Sequence, residues 1–238
     1  MSDRETILGR IRDSLAVNRE LLEAEATKVP PPHPCGPFIP SGLSPLAQFT
    51  AELEALTGHV HFCATQAEAL AKLRSLLLSH KADSVLHWEF ADLPLSGVDG
   101  VFRELGIRSA EGRVLGTGDR LERIQRLDPV PVCLSGADAA IAESGTIVVV
   151  TGPGRGRLAS LVTPIHIAIL PASRIVRTLP DAFELLYTRF GPNVVHERSN
   201  ITLITGPSRS GDIEQTLTLG VHGPKEIHVV IVGAEGET

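Results

Sequence analysis

Short apolar runs rich in β-branched residues alternate with segments of helical periodicity along most of this 238-residue chain. The pattern predicts strands near 59–63, 84–88, 141–150, 165–170, 201–205 and 227–232, and helices near 44–57, 66–79, 179–190 and 212–219. Thr65 and Glu68 stand in the register of a capping box at the start of the second helix. A further short strand is expected within 112–118. This alternation predicts a three-layer α/β fold, in which helices cover both faces of a largely parallel sheet.

A separate N-terminal arm is expected before this body. Apolar residues within 3–26 form a partial helical stripe, and residues 29–37 contain five prolines in nine positions. We therefore predict a helical arm with a proline-rich linker at 1–40 and an α/β domain at 41–238. An apolar stripe needs cover, so the arm is a candidate for contact with a second copy of the chain or with a partner protein.

Composition excludes several classes of function. A net charge of −6 and only 4% aromatic residues argue against a nucleic-acid partner. The first 20 residues mix acids and bases without an apolar run, which predicts neither a signal peptide nor a membrane span and favours a cytoplasmic protein. The three cysteines, Cys35, Cys63 and Cys133, form no CxxC pair, so no iron–sulfur or zinc site of four thiolates is expected in this chain, and buried thiols are the simpler interpretation.

Residues 201–224 hold the densest set of candidate site residues. A strand is followed by a polar loop and by a helix that begins at Asp212, so that the helix N-terminus and the Arg209 guanidinium could bind an anion. Asp212 and Glu214 could alternatively do no more than complement the helix dipole. His222 lies in a glycine-rich turn, where a structural and a chemical role are both open. The predicted binding residues here are Gly206, Ser208, Arg209, Ser210 and Glu214.

Two further segments carry candidate chemistry. Glu143, Ser144 and Gly145 precede the apolar run 147–150; the glutamate is either a carboxylate in a turn at the strand edge or a nucleophile or general base. The loop 151–157 offers Arg155 and Arg157 to a carboxylate or phosphate, or is simply a surface loop. Its glycine spacing matches neither a dinucleotide-binding fingerprint nor a P-loop.

The histidines predict no metal site. His166 lies in an apolar strand and is interpreted as a core residue, although a site shared by His166, His222 and nearby carboxylates is the alternative. His59 and His61 alternate on one strand, and without a third ligand close in sequence they are interpreted as surface residues.

Five motifs together resemble one protein family. They are AESGT at 142–146, GRGR at 154–157, HIA at 166–168, GPSRSGDIE at 206–214 and GVHGP at 220–224. This combination resembles the LutC family of lactate-utilisation proteins, the LUD domain, over about residues 43–232. The resemblance implies a fold of the sugar-isomerase and coenzyme A transferase-like superfamily. It also implies a part in oxidising L-lactate to pyruvate beside two iron–sulfur proteins, with the clusters on those partners and no cofactor in this chain.

Two functions follow as hypotheses. In the first, the chain is a non-redox subunit that either organises its iron–sulfur partners or binds the small hydroxy acid. Arg209, or Arg155 and Arg157, would hold the carboxylate, while His222 or Glu143 takes the hydroxyl proton. In the second, it is a stand-alone transferase in which Glu143 forms an acyl-enzyme, or an isomerase-like enzyme acting on a phosphorylated substrate. Glu143, His222 and Asp212 are the candidate catalytic residues.

Overall fold

The computed structural model describes residues 3–26, 42–111, 122, 127, 129–211 and 217–233. The chain divides into two compact units, Met1–Ile39 and Pro40–Thr238. In the first unit, helix α1 (Asp3–Val17) precedes helix α2 (Arg19–Ala26). No residue of α1 is buried. Across the described parts of the chain, no helix combines the length and the apolar character that a membrane crossing requires.

The second unit contains the strands. In chain order they are β1 (His59–Cys63), β2 (Ser84–His87), β3 (Arg108–Glu111), β4 (Val132–Gly136), β5 (Ala139–Ile141), β6 (Thr146–Val150), β7 (Ile165–Pro171), β8 (Ile175–Val176), β9 (Ile201–Ile204), β10 (Arg209–Gly211), β11 (Leu217–Leu219) and β12 (Glu226–Val232). Its described helices are α3 (Pro45–Ala55), α4 (Gln66–Ser79), α5 (Val98–Leu105), α6 (Leu179–Phe190) and α7 (Val194–Glu197).

Six of these strands form the main sheet, in the order β1-β12-β7-β4-β2-β3. All of its neighbouring pairs are parallel. The two central strands are β7 and β4. Helices lie on both faces of the sheet, so the side chains on both sides of these strands are mostly apolar. Leu134, Ile167 and Ile169 are fully buried there. The structure thus confirms the predicted α/β fold with a largely parallel sheet.

A second, mixed sheet of four strands has the order β8-β5-β6-β9. The strand predicted over 141–150 is wrong as one element, because a 3-10 turn at Ala142–Ser144 separates β5 from the antiparallel β6. Gly145 completes the turn with a φ of 60°, which glycine adopts without strain. A Cβ there would come within 2.5 Å of the Leu53 backbone nitrogen, so the glycine also lets α3 approach the turn closely.

The helix predicted over 212–219 is wrong for its described part. Residues 217–219 form β11, which pairs antiparallel with β10. Residues 212–216, with Asp212 and Glu214, lie outside the described residues, as do the strand expected within 112–118 and Cys35. The strand β9 pairs antiparallel with β6 instead of joining the parallel sheet. The expected strand, loop and helix unit is therefore a strand followed by a hairpin.

The predicted start of α4 is confirmed. The Thr65 hydroxyl accepts the Glu68 backbone N–H at 3.2 Å, and the Glu68 carboxylate accepts the Ala64 N–H at 2.9 Å. Helix α6 occupies the predicted range and begins with a capping box of Thr178 and Asp181.

Candidate functional site

The carboxyl ends of β2 and β4, neighbouring strands of the parallel sheet, meet at one edge. Trp88 and Asp92 follow β2, and Asp138 follows β4. Ligands of open α/β sheets bind outside the carboxyl ends of the strands. Polar side chains at this edge are therefore candidates for a ligand site.

Asp138 is the centre of the polar network at this edge. Its side chain is fully buried, and its Oδ1 lies 3.0 Å from Arg155 Nη1 and 3.3 Å from Arg189 Nη1. Its Oδ2 accepts the Val150 backbone N–H at 2.9 Å. Arg189 also donates to the Asp138 carbonyl oxygen. A buried carboxylate is tolerated only when it is paired and hydrogen-bonded, and Asp138 meets both conditions.

Arg155 is held on several sides. Its Nε donates to Asp92 Oδ1 at 3.0 Å, in addition to the bond to Asp138. Its guanidinium carbon lies 4.8 Å from the centre of the Trp88 ring and 5.6 Å from that of Phe190. Ring faces attract cations, so these contacts fix the plane of the guanidinium. Arg155 is thus committed to two carboxylates and is suited to positioning more than to free capture of a substrate.

Positive charge is in surplus around Asp138. Arg174 donates to the Ala137 carbonyl oxygen at 3.0 Å. Burial and then the neighbouring Arg189 lower the pKa of Arg174 to about 10, with Asp138 opposing the change. Burial likewise lowers the pKa of Arg189, and Arg155 adds to the shift against the attraction of Asp138. Crowded, partly desolvated cations of this kind are stabilised by an added anion.

A cleft of about 510 Å³ opens beside this network, between loop residues 151–157 and residues 197–200. We call it the arginine cleft. Arg155, Arg157 and Arg198 lie in its wall, together with one carboxylate, that of Glu197. Its volume falls within the range typical of sites for small ligands.

Arg157 and Arg198 are the guanidiniums of the arginine cleft that remain available. Neither forms an ion pair with a carboxylate among the described residues. Arg198 lies 5.2 Å from the centre of the Phe190 ring. A Cβ at Gly152 would come within 2.7 Å of its Nη1, so the glycine leaves room for the guanidinium against the loop. Across the cleft, the Thr151 hydroxyl lies 3.1 Å from that of Ser199.

The predicted site residues around Glu143 lie elsewhere. Glu143 is exposed, and its Oε1 accepts the backbone N–H of Leu179, the first residue of α6, at 2.9 Å. Ser144, Thr146 and Thr205 form a chain of hydroxyls with Oγ separations of 2.8 and 2.7 Å. The structure thus brings the AESGT motif to the start of the GPSRSG motif.

The hairpin residues gather at the end of α3. Arg209 donates to the Leu56 carbonyl oxygen, just after the last turn of α3, and to Thr57 Oγ1 at 3.3 Å. A cation at a helix C-terminus is favourable, so the contact stabilises α3. Because Thr57 nearly adjoins the start of β1, Arg209 lies at the amino-terminal edge of the parallel sheet, opposite to the arginine cleft.

The other predicted residues of this segment support the hairpin. Gly206 is buried with a φ of 79° against Leu56. The Ser208 carbonyl oxygen accepts the Gly220 N–H at 3.0 Å, and Ser210 pairs with Thr218 across the hairpin. His222 is exposed in the turn that follows.

The sequence predictions therefore found two of the arginines of the cleft and missed the centre of the network. Asp138, Arg174, Arg189 and Arg198 were not among the candidates. Asp138 carries a readable signal, since it is an acid within the otherwise apolar stretch 137–142. The three arginines carry none, because they come from distant segments that only the fold brings together.

Comparison with known proteins identifies relatives. A model of the LUD domain matches residues 46–232. Lactate utilization protein C of an Exiguobacterium species is 44% identical over 96 residues, which are 40% of this chain and 41% of that protein. Lactate utilization protein C 1 of Bacillus mycoides is 36% identical over 143 residues, 56% of this chain and 60% of that protein. The matches thus span about half the length of these relatives.

One solved structure shares the fold. A DUF162 family protein from Deinococcus radiodurans superimposes with a TM-score of 0.57 and 22% sequence identity, covering 79% of this chain and 96% of that one.

Proposed function

We propose that this chain, which belongs to the LUD domain family, serves in lactate utilisation as a non-redox subunit that binds a small carboxylate in the arginine cleft. The observation that carries the proposal is the excess of guanidiniums over carboxylates at the carboxyl edge of the parallel sheet. The role in lactate utilisation is inferred from the names of the relatives. The class of ligand, a small carboxylate, is inferred from the positive charge of the cleft.

Some arginines of the network hold its structure, and others are free to bind a ligand. Arg155 and Arg189 are occupied by Asp138, which keeps them in place. Arg157 and Arg198 are left to bind the carboxylate of L-lactate or of its product pyruvate, and guanidinium–carboxylate pairs of this kind form strong, oriented hydrogen bonds. We assign the second oxygen of such a ligand to the Ser199 hydroxyl, which lies in the wall of the same cleft.

The electrons of the oxidation require other proteins. Conversion of lactate to pyruvate releases two electrons and two protons. An iron–sulfur cluster needs thiolates, and Cys63 and Cys133 are buried thiols on two different strands. Burial raises the pKa of both, that of Cys133 to about 12, so neither is suited to bind a cluster. We therefore propose that the electron transfer lies with the two iron–sulfur proteins that the family resemblance implies.

The N-terminal arm is the proposed contact with another chain, whether an iron–sulfur partner or a second copy. Ile7, Ile11 and Leu15 recur every four residues of α1, and each is about half exposed, at 58%, 49% and 53%. Residues four apart share one face of a helix, so these side chains form an apolar stripe.

Growth on L-lactate tests the proposed function. In cells that lack this gene, we expect the wild-type chain to restore growth and the double variant Arg157→Ala, Arg198→Ala to fail at equal protein level. Arg103→Ala is the matched control, because it removes a guanidinium from an exposed pair with Asp99 on α5. Full growth with the double variant would contradict the role of the cleft.

Anaerobic purification tests the assembly. The wild-type chain is expected to bring down iron-containing partners from lactate-grown cells, and a chain without residues 1–40 is expected to lose them. Purification of the chain alone would contradict the assembly but not carboxylate binding.

Acyl transfer through Glu143 is the second candidate. Its carboxylate is exposed, and one oxygen accepts the backbone N–H of Leu179 at the start of α6. Carboxylates of this kind can act as nucleophiles in covalent catalysis. The carboxylate would attack the thioester carbonyl of an acyl-coenzyme A and release the thiolate. After incubation with acyl-coenzyme A and hydroxylamine, peptide mass analysis would show a modified Glu143; an unmodified peptide would remove this candidate.

A further inference from the structure

Imidazoles and one carboxylate converge at the amino-terminal edge of the parallel sheet, where β1 lies beside β12. His59 and His61 belong to β1, while Glu226 and His228 belong to β12. His80 is the residue that ends α4. This group lies at the edge opposite to the arginine cleft, and the proposed function does not use it.

The side chains of His80, Glu226 and His228 each place one possible metal-ligand atom in the same small region. Glu226 Oε2 lies 3.6 Å from His228 Nε2 and 3.8 Å from His80 Nε2. The three atoms all lie within 4.8 Å of one another. Metal–ligand bonds of about 2.0–2.1 Å in a tetrahedral site place neighbouring ligand atoms about 3.3 Å apart. Small rotations of the side chains would therefore complete the coordination.

His228 supplies an independent sign of a missing ligand. The residue is buried, and its Nε2 has no hydrogen-bond partner among the described residues. The Glu226 oxygen at 3.6 Å is too far for a hydrogen bond. A buried polar atom without a partner is unfavourable, and coordination to a metal ion would satisfy it.

The other nitrogen of His228 is already held. His61 Nε2 lies 3.2 Å from His228 Nδ1, and the His59 ring stacks on His228 with 4.7 Å between centres. When His228 donates its Nδ1–H to His61, its Nε2 carries the free lone pair that a metal requires. Histidine ligands of metals are commonly oriented by such a second hydrogen bond.

We propose that His80, Glu226 and His228 bind one divalent transition-metal ion of the zinc class, with His61 as the residue that orients His228. Two imidazoles and a carboxylate form a ligand set suited to such ions. Beside Glu226 lies a groove of about 490 Å³, lined also by Thr57, His59 and Lys225. This opening leaves a fourth coordination position for water or a ligand oxygen.

Cobalt titration of the full chain, purified without a polyhistidine tag and treated with EDTA, tests the proposal. We expect one equivalent of Co²⁺ to bind with the visible absorption of a tetrahedral site, and Zn²⁺ to displace it. Glu226→Gln and His228→Asn should weaken binding by about 100-fold or more. His61→Asn should weaken it by about 10- to 100-fold, as expected for an orienting residue.

Two controls keep the test decisive. His196→Asn removes an exposed imidazole from α7 and should leave Co²⁺ binding unchanged. If His228→Asn does not fold, the part-exposed Glu226→Gln carries the test, and Zn²⁺ should raise the thermal midpoint of the wild type but not that of this variant. The proposal is overturned if the EDTA-treated wild type binds no Co²⁺, or if Glu226→Gln binds it as the wild type does.

Discussion

Replacement of Asp138 by asparagine would remove the carboxylate that pairs with both Arg155 and Arg189. The amide oxygen can still accept the Val150 N–H, but the NH2 group then faces the two guanidiniums, so both the charge and their shared acceptor are lost. Removing one partner of a buried ion pair costs about 3–5 kcal/mol. The two arginine side chains are only 16% and 22% exposed, which leaves some solvent to compensate, so we expect about 3 kcal/mol.

Urea unfolding followed by circular dichroism measures this loss. For a domain of this size, about 3 kcal/mol corresponds to a fall of roughly 6–12 °C in the thermal midpoint. Asp99→Asn, which breaks an exposed pair with Arg103, should cost about 0.5 kcal/mol or less. Because Asp138→Asn leaves Asp92 as the carboxylate that pairs with Arg155, and takes from Arg189 its ion pair, phosphate or lactate should stabilise this variant more than the wild type.

A change of less than about 1 kcal/mol in Asp138→Asn would refute this reasoning. It would mean that solvent reaches the two guanidiniums and that their attraction to Asp138 is weak. The same conclusion would follow if anions protected the variant no better than the wild type.

Three other perturbations separate structural roles from binding roles. Burial lowers the pKa of His166 to about 3, against about 6.5 in the unfolded chain. The neutral ring therefore makes its full contribution to the free energy of unfolding above pH 6.5. Below that, this contribution falls by about 1.4 kcal/mol per pH unit as the pH approaches 3. Urea midpoints between pH 7 and 5 should therefore fall less for His166→Gln than for the wild type; equal slopes would contradict the neutral buried ring. Gly145→Ala places a Cβ against the Leu53 backbone at positive φ and should cost about 3 kcal/mol in urea unfolding, whereas Gly106→Ala, also at positive φ but in open space, should cost about 1 kcal/mol. Arg209→Ala should slightly lower the thermal midpoint and leave lactate binding in calorimetry unchanged, because the Arg209 guanidinium is hydrogen-bonded at the end of α3. A loss of lactate binding would instead indicate that the carboxylate binds at the β10–β11 hairpin.

The sequence predicts the elements whose signals are local. The start of α4 is confirmed because Thr65 and Glu68 act within one turn. The runs at β7 and β12 are apolar on both faces, which matches strands covered by helices on both sides. Burial of His166, Cys63 and Cys133 also follows from their apolar neighbours.

The failures have physical causes. The strand predicted over 141–150 is broken because Gly145, at positive φ, turns the chain back. The polar residues Glu143 and Ser144 mark this turn in the sequence, but the apolar residues on either side favour a single strand. The acids Asp212 and Glu214 favour a helix over 212–219, but pairing between β10 and β11 outweighs that local preference in 217–219. Sequence spacing cannot show that Arg189 reaches Asp138, or that His80 reaches His228, because these contacts join residues far apart in the chain.

Direct titration of L-lactate into the purified chain by calorimetry tests the central claim. We expect binding of L-lactate and pyruvate to the wild type and to Arg103→Ala. In Arg157→Ala, Arg198→Ala the loss of charge-assisted hydrogen bonds should weaken binding by about 10- to 100-fold. Equal binding by the double variant, or none by the wild type, would contradict the account of the arginine cleft as a carboxylate site.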